Sequence, residues 1–440
     1  MLASSRPEQE TRELGEFDLA ILSDLHLGEG RDPATKKFSL KEDFFFDESF
    51  DRFVDHLKRE AGRTGRSWKL IFAGDLADFL QIRAIPENQD FPLRPSERLF
   101  GLGTSPEKTV WKLQRMMAGH RKFFEALGRF ICAGNRCVII TGNHDIEWSV
   151  PKVREAFLDE MKKYIRSGNT STLDQAIEFC RWFYYEPDLL WVEHGHQYDG
   201  INSFDYFLHP YLPDSQELML PAGSFFVRYL FNEVEHLHPF ADNVKPISAY
   251  LRGNWPKLLL SRNMLKHLKA FWRILGKSHE FTEEELNKLE IEQDKILQQE
   301  AQDFGIDLSK LQSIKRLWVP SFLYNKTRME NLWMFLSYES GNHLPSIASK
   351  ISQELAVRYV VFGHTHNADL QAIKPDWSAE YVNSGTWVKT FSHDLSDRLL
   401  HEEQESVFVR ILKSEGDKME LLKWREDIDD ATRVNLFERR

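Results

Sequence analysis

The sequence predicts an α/β protein whose strands deliver reactive side chains to one end of a sheet. Three observations carry this. Apolar runs of strand length recur along the 440 residues, many of them ending at Asp, Asn, His or Gly. Stretches with apolar residues at helical spacing lie between them. Five polar motifs each follow directly on such a run: Asp24-Leu25-His26, Gly74-Asp75-Leu76-Ala77-Asp78, Gly142-Asn143-His144-Asp145, His194-Gly195-His196 and Gly363-His364-Thr365-His366. In open α/β sheets, ligand sites collect at the carboxyl ends of the strands, and the motifs fall where that topology places a site.

Taken in order, residues 1–16 are polar, with Glu8, Glu10, Glu13 and Glu16, and read as a mobile tail rather than a secretory signal. Phe17-Asp18-Leu19-Ala20-Ile21-Leu22 reads as the first strand. Residues 48–60 follow as a helix with Phe50, Phe53, Val54 and Leu57 on one face. Trp68-Lys69-Leu70-Ile71-Phe72 is the next strand, a helical stretch runs over 106–127, and Val138-Ile139-Ile140 is the third strand. Helices are expected at 151–165 and 172–182. Leu189-Leu190-Trp191-Val192, Tyr359-Val360-Val361-Phe362 and Glu380-Tyr381-Val382 are further strands, the last leading to Asn383-Ser384-Gly385-Thr386. A hairpin of 406–412 and 418–424 turns around Glu415-Gly416-Asp417, and 428–440 is a second tail.

Motif spacing divides the chain. Asp24 and Asp75 are 51 residues apart and Asp75 and Asn143 are 68 apart, but 170 separate His194 from His364. The excess marks a largely helical insertion at 203–345 between two parts of one domain, 17–202 and 346–427. Within it, 251–277 carries seven basic residues and no acidic one, with Leu251, Trp255, Leu258, Leu265, Leu268, Trp272 and Leu275 at three- and four-residue spacing. This segment is expected to pack through its leucine face and pair with the acidic helix 280–303. An anionic membrane surface is the competing partner.

Bulk composition narrows the classes. The net charge of −11 argues against a general nucleic-acid coat protein. Three cysteines, Cys132, Cys137 and Cys180, cannot pair fully and form no Cys-x-x-Cys unit, so a reducing, cytoplasmic compartment is expected. No apolar run approaches the length of a membrane span.

The motifs supply Asp, Asn and His, the ligand types that suit two divalent metals. In order and context they resemble the signature of the calcineurin-like metallophosphoesterases, over about 17–200 and 355–390. The resemblance implies a four-layer α-β-β-α sandwich of two mixed sheets with a two-metal site at one end, here with a large helical insertion. It implies that Asp24, His26 and His366 hold the first metal, that Asp75 bridges, and that Asn143, His194 and His364 hold the second. It implies Mn²⁺ as the ion, with Fe or Zn²⁺ as alternatives. Such a pair lowers the pKa of a bridging water and neutralises phosphoryl oxygens, so that hydroxide attacks phosphorus in line with the leaving group.

His144 resembles the family's catalytic histidine, and Asp145 is expected to orient it by accepting its other ring N–H. Asp78 is expected to brace the site. His196 is expected to hydrogen-bond behind the ligands, with an approach to substrate as the alternative. His209, His236, His238 and His267 belong to no motif and read as structural or surface residues.

The block Ser23-Asp24-Leu25-His26-Leu27-Gly28 resembles the bacterial UDP-2,3-diacylglucosamine hydrolase branch, which cleaves a pyrophosphate in a lipid precursor at the inner membrane face. That branch carries Arg where this chain has His144, and its insertion is shorter. The expected activity is therefore that of a metal-dependent phosphodiesterase or pyrophosphatase. A nuclease or phosphomonoesterase of the same fold is the alternative, and a non-enzymatic scaffold is disfavoured because every ligand is retained.

Overall fold

The computed structural model describes residues 17–39, 41–88, 90–165, 173–231, 244–245, 281–321, 343–393 and 400–434. Its strands, in chain order, are β1 Phe17–Leu22, β2 Ser67–Ala73, β3 Arg136–Ile140, β4 Ile177–Cys180, β5 Phe183–Glu186, β6 Leu190–Glu193, β7 Val244–Lys245 and β8 Tyr359–Phe362. They continue with β9 Asp369–Ala372, β10 Glu380–Asn383, β11 Lys389–His393, β12 Leu400–Gln404, β13 Ser406–Leu412, β14 Lys418–Arg425 and β15 Asp430–Arg433.

Two mixed sheets form the body of an α/β sandwich. One runs β15-β14-β13-β1-β2-β3-β4 and the other β5-β6-β8-β10-β9; β12-β11-β7 form a separate three-stranded sheet. In the first, β1 to β4 are parallel and β13 returns antiparallel beside β1. In the second, β6, β8 and β10 are parallel, with antiparallel edges at β5 and β9. Every residue of β1, β6 and β8 is buried, as expected of strands covered on both faces.

The helices Asp47–Thr64 and Arg121–Cys132 pack together against β2 and β3, and the helix Leu344–Leu355 packs on β8 and β10. Helix Asp47–Thr64 has Asp47 and Glu48 in its first turn, where the macrodipole favours anions, and stops at Gly65 in the left-handed region (φ 71°). Its buried face carries Phe50, Phe53, Val54 and Leu57, and Phe50 stacks on Phe123 at 3.9 Å between ring centroids. Burial of each such side chain contributes about 1.5–3 kcal/mol.

Several elements depart from the sequence reading. The helix expected over 106–127 is two, Pro106–Gly119 and Arg121–Cys132. The break falls where Gly119 presses on the Glu29 carbonyl, leaving no room for a Cβ. The helix expected at 172–182 is one turn, Leu173–Ala176, followed by β4, which completes the edge beside β3. Residues 430–433, placed in the tail, pair with β14 as the edge strand β15.

The described part of the insertion belongs to the main core. Helix Glu283–Phe304 opens on a Thr282–Glu285 capping box and turns Leu297, Ala301 and Phe304 inward, with Phe304 against Phe183 at 4.7 Å. Its pairing with 251–277, and the membrane-binding alternative for that segment, lie outside the described residues, as do His236, His238 and His267. Among the described residues, no helix is long and apolar enough to cross a membrane.

Candidate metal centre

β1, β2 and β3 run parallel in one sheet and β6 and β8 run parallel in the other, and each leads into one of the five motifs. Main-chain bonds then stitch the loops together. Leu25 and His26 N–H both donate to the Asp75 carbonyl, at 3.0 Å each, and Gly363 N–H donates to the His194 carbonyl at 3.1 Å. The Asn383–Thr386 segment after β10 adds side-chain ties: Asn383 Nδ2 donates to the Gly363 carbonyl (2.7 Å), Thr386 Oγ1 to the Asp24 carbonyl (2.7 Å), and the Ser384 and Ser23 hydroxyls are 2.7 Å apart.

The backbone at the motifs is unusual. Asp24, His26, Asp75, His364 and His366 all have positive φ, between 51° and 68°. Non-glycine residues adopt this region at a cost, and such residues cluster at functional sites. Two glycines make the approach feasible. A Cβ at Gly74, itself at φ 87°, would overlap the His194 ring, and one at Gly142 would overlap the Asp75 carboxylate.

Each carboxylate is half committed. Asp24 Oδ2 accepts from His364 N–H at 2.9 Å, while its Oδ1 lies 3.2 Å from His366 Nε2 and 3.9 Å from His26 Nε2. Asp75 Oδ1 accepts from His144 N–H at 2.8 Å, and its Oδ2 lies 3.0 Å from His194 Nε2 and 3.8 Å from His26 Nε2. His26 Nε2 and His366 Nε2 are 3.2 Å apart, and His194 Nε2 is 3.1 Å from Asn143 Oδ1. Ligands at metal bonds of about 2.1 Å sit roughly 3 Å from one another when adjacent on one ion. The donor atoms present could therefore hold metal ions: Asp24, Asp75 and His194 form a buried group, and Asp24, His26 and His366 and also His26, Asp78 and His144 form two more, each with one partly exposed histidine.

Two of the ligand-type histidines have one nitrogen assigned. His194 Nδ1 lies 3.0 Å from the Ala73 carbonyl, leaving Nε2 for a ligand, and His364 Nε2 lies 3.0 Å from Asp199 Oδ2. Asp199 carried no signal in the sequence beyond lying five residues after His194.

His144 is positioned by Asp78, not by Asp145. Its Nδ1 is 2.6 Å from Asp78 Oδ2, and Asp78 is anchored through Oδ1 by the N–H groups of Leu80 (2.8 Å) and Gln81 (3.0 Å). Asp145 turns away into the loop and accepts from Gly142 N–H (2.7 Å), Ala77 N–H (3.3 Å) and Trp148 Nε1 (3.0 Å). Adjacent residues in this tight loop face opposite ways, so Asp145 fastens the loop while Asp78 reaches His144 from the neighbouring motif. His196 also differs from expectation. Its ring is buried edge-on against Phe204 and Phe207, and neither ring nitrogen has a hydrogen-bond partner among the described residues.

Charge follows this geometry. Burial would raise Asp24, Asp75 and Asp78, but the surrounding imidazoles hold all three carboxyls below the usual range. Burial would lower His26, His144 and His194, but the aspartates raise them, His194 to about 9. Burial, together with His194 and His364, drives His196 well below its ordinary value. Burial and the Asp75 carboxylate push Asp145 up to about 7. A cation entering here takes the place of imidazole protons. The side chains of His144 (18% exposed) and His366 (14%) are the more open, while Asp24 and Asp78 are fully enclosed, so access is from the His144 side.

No family model and no curated protein matches the chain. Among solved structures, the crystal structure of TT1561 of Thermus thermophilus aligns over 88% of this chain and 98% of that chain, at 8% identity and a TM-score of 0.26. A likeness at that level adds nothing to the reading of the site.

Proposed function

We propose that the protein is a metal-dependent phosphohydrolase of the calcineurin-like metallophosphoesterase type, cleaving a phosphodiester or pyrophosphate. The observation that supports it is the meeting of Asp24, Asp75, Asn143 and five imidazoles from both sheets at one set of strand ends, with an enclosed carboxylate behind the most exposed imidazole.

Asp24, His26 and His366 would hold one divalent ion; Asn143, His194 and His364 a second; and Asp75 would serve both. Mn²⁺ suits this O/N donor set, as do Fe and Zn²⁺. When bound, the two ions supply charge neutralisation for phosphoryl oxygens and a water-derived nucleophile at neutral pH. His144, held at Nδ1 by Asp78, presents Nε2 as the donor that protonates the leaving oxygen or bonds the phosphoryl group. A positioned acid of this kind contributes about 10²–10⁴-fold. A cytoplasmic location, peripheral at the inner membrane face through 251–277, is part of the same proposal.

The test is hydrolysis of bis-p-nitrophenyl phosphate beside p-nitrophenyl phosphate by the Mn²⁺-loaded protein. Asp75→Asn is expected to weaken both ions and abolish turnover. Faster cleavage of the diester supports the proposal. Faster cleavage of the monoester replaces it with a phosphatase, and cleavage of neither at two bound Mn²⁺ per chain overturns it.

A further inference from the structure

Asp199 lies on the turn that follows His194 and is nearly enclosed. Its Oδ1 accepts from Ile201 N–H at 2.9 Å, and its Oδ2 accepts from Asn202 Nδ2 at 2.9 Å and faces His364 Nε2 at 3.0 Å. Its own carbonyl accepts from Asn202 N–H (2.9 Å) and Ser203 N–H (2.7 Å), which closes the turn around it. The carbonyls just before it are gripped by the inserted region: Val319 N–H donates to Gln197 at 3.0 Å, and His343 Nε2 is 2.7 Å from the Tyr198 oxygen. Asp199 is thus fixed from three directions.

A neutral imidazole has one N–H and one lone pair. With Nε2–H donated to a carboxylate, His364 retains a lone pair at Nδ1 alone. His194 is wired the other way, with Nδ1 on a carbonyl and Nε2 toward Asp75 and Asn143. We propose that Asp199 is a positioning residue of the second metal subsite, fixing His364 in the tautomer that ligates through Nδ1 while His194 ligates through Nε2. The inference rests on the two-metal reading above. A carboxylate behind a ligating histidine fixes the ring and raises its basicity, and loss of such a partner costs about 10–100-fold in metal affinity or activity.

It also links the insertion to the chemistry. The turn carrying Asp199 is where the chain leaves for the inserted region, and Val319 and His343 hold it from the far side. A shift of those contacts would move the carboxylate that holds His364.

The experiment uses the full chain, wild type beside Asp199→Asn and Asp199→Ala. Asparagine keeps the oxygen that accepts from Ile201 but can present an NH₂ to His364, so a donor meets a donor. Mn²⁺ titration, with bound metal counted per chain, is expected to give two sites in the wild type. In both variants the second site should weaken about 10–100-fold and the first should be retained. In ¹⁵N-histidine-labelled wild type loaded with Zn²⁺, long-range ¹H–¹⁵N spectra, assigned with His364→Gln, should show His364 protonated at Nε2 and metal-shifted at Nδ1. This reading does not depend on any Asp199 variant folding. Unchanged second-site affinity in both variants, or Zn²⁺ on Nε2, overturns the role of Asp199 and leaves the metal centre standing. A wild type without paired sites overturns the metal centre and this inference with it.

Discussion

Asp78→Asn separates orientation of His144 from metal binding. In the native site Asp78 Oδ2 lies 2.6 Å from His144 Nδ1, while Oδ1 holds the N–H groups of Leu80 and Gln81. Asparagine can keep Oδ1 where it is, so the loop stays closed. Its amide nitrogen then replaces Oδ2 and meets Nδ1–H with another donor. His144 must give up that bond or accept there as a neutral ring, and the neutral ring's Nε2–H is a far weaker acid than the imidazolium that Asp78 favours. A charge-assisted hydrogen bond contributes about 1.5–3 kcal/mol, which corresponds to about 10- to 150-fold in rate. Because Asp78 Oδ2 is also 3.5 Å from His26 Nδ1, a proposed ligand of the first metal shares this carboxylate. The assay is therefore kcat for bis-p-nitrophenyl phosphate at saturating Mn²⁺, with bound metal counted in the same samples. A kcat within twofold of wild type at full occupancy would refute the Asp78–His144 assignment. Full recovery on adding Mn²⁺ would move Asp78 from orienting His144 to supporting His26.

Three further outcomes follow from other parts of the site and its frame. Asp145→Asn should lower thermal stability, because one of the N–H groups of Gly142, Ala77 and Trp148 loses its acceptor at about 1–3 kcal/mol, yet kcat at saturating metal should be near wild type; a collapse of kcat in a folded, metal-loaded variant would restore Asp145 as the partner of His144. Gly142→Ala should reduce bound Mn²⁺ and destabilise by about 1–3 kcal/mol, since its Cβ would occupy the place of the Asp75 carboxylate, and normal metal content would show that the loop yields. His120 is buried between Glu42 and Asp47, and these carboxylates overcome the effect of burial to raise it to about 10. Its ionic contribution is therefore full below the unfolded value of about 6.5 and is lost as pH rises through about 10. Thermal midpoints measured from pH 6.5 to 10 should fall more steeply in the wild type than in His120→Gln, and parallel curves would count against an ionised His120.

The motifs and their strand context were legible because they are local. An apolar run followed by Gly-Asp or Gly-Asn-His-Asp reads as a strand and its loop wherever it occurs, and β1, β2, β3, β6 and β8 lie where those runs placed them. What the sequence could not show depends on pairing at long range. Asp145 is next to His144 in the chain and Asp78 is 66 residues away, yet a tight loop points neighbours apart and the parallel register of β2 and β3 brings the distant residue close. The same holds for Asp199 and His364, 165 residues apart. β4 was misread because Ile177 to Cys180 is too short to show a period, and only the open edge of β3 selects a strand there. The five positive φ angles are equally hidden: Asp and His enter the left-handed region more readily than most side chains, but nothing local says that Asp24, His26, Asp75, His364 and His366 all do so. Their shared departure is the strongest physical sign that the loops are held for a purpose. Relaxed turns would bury Asp24 and Asp75 with all their oxygens hydrogen-bonded. Here Asp24 Oδ1 faces imidazole nitrogens, with His366 Nε2 at 3.2 Å, an arrangement that could hold a divalent ion.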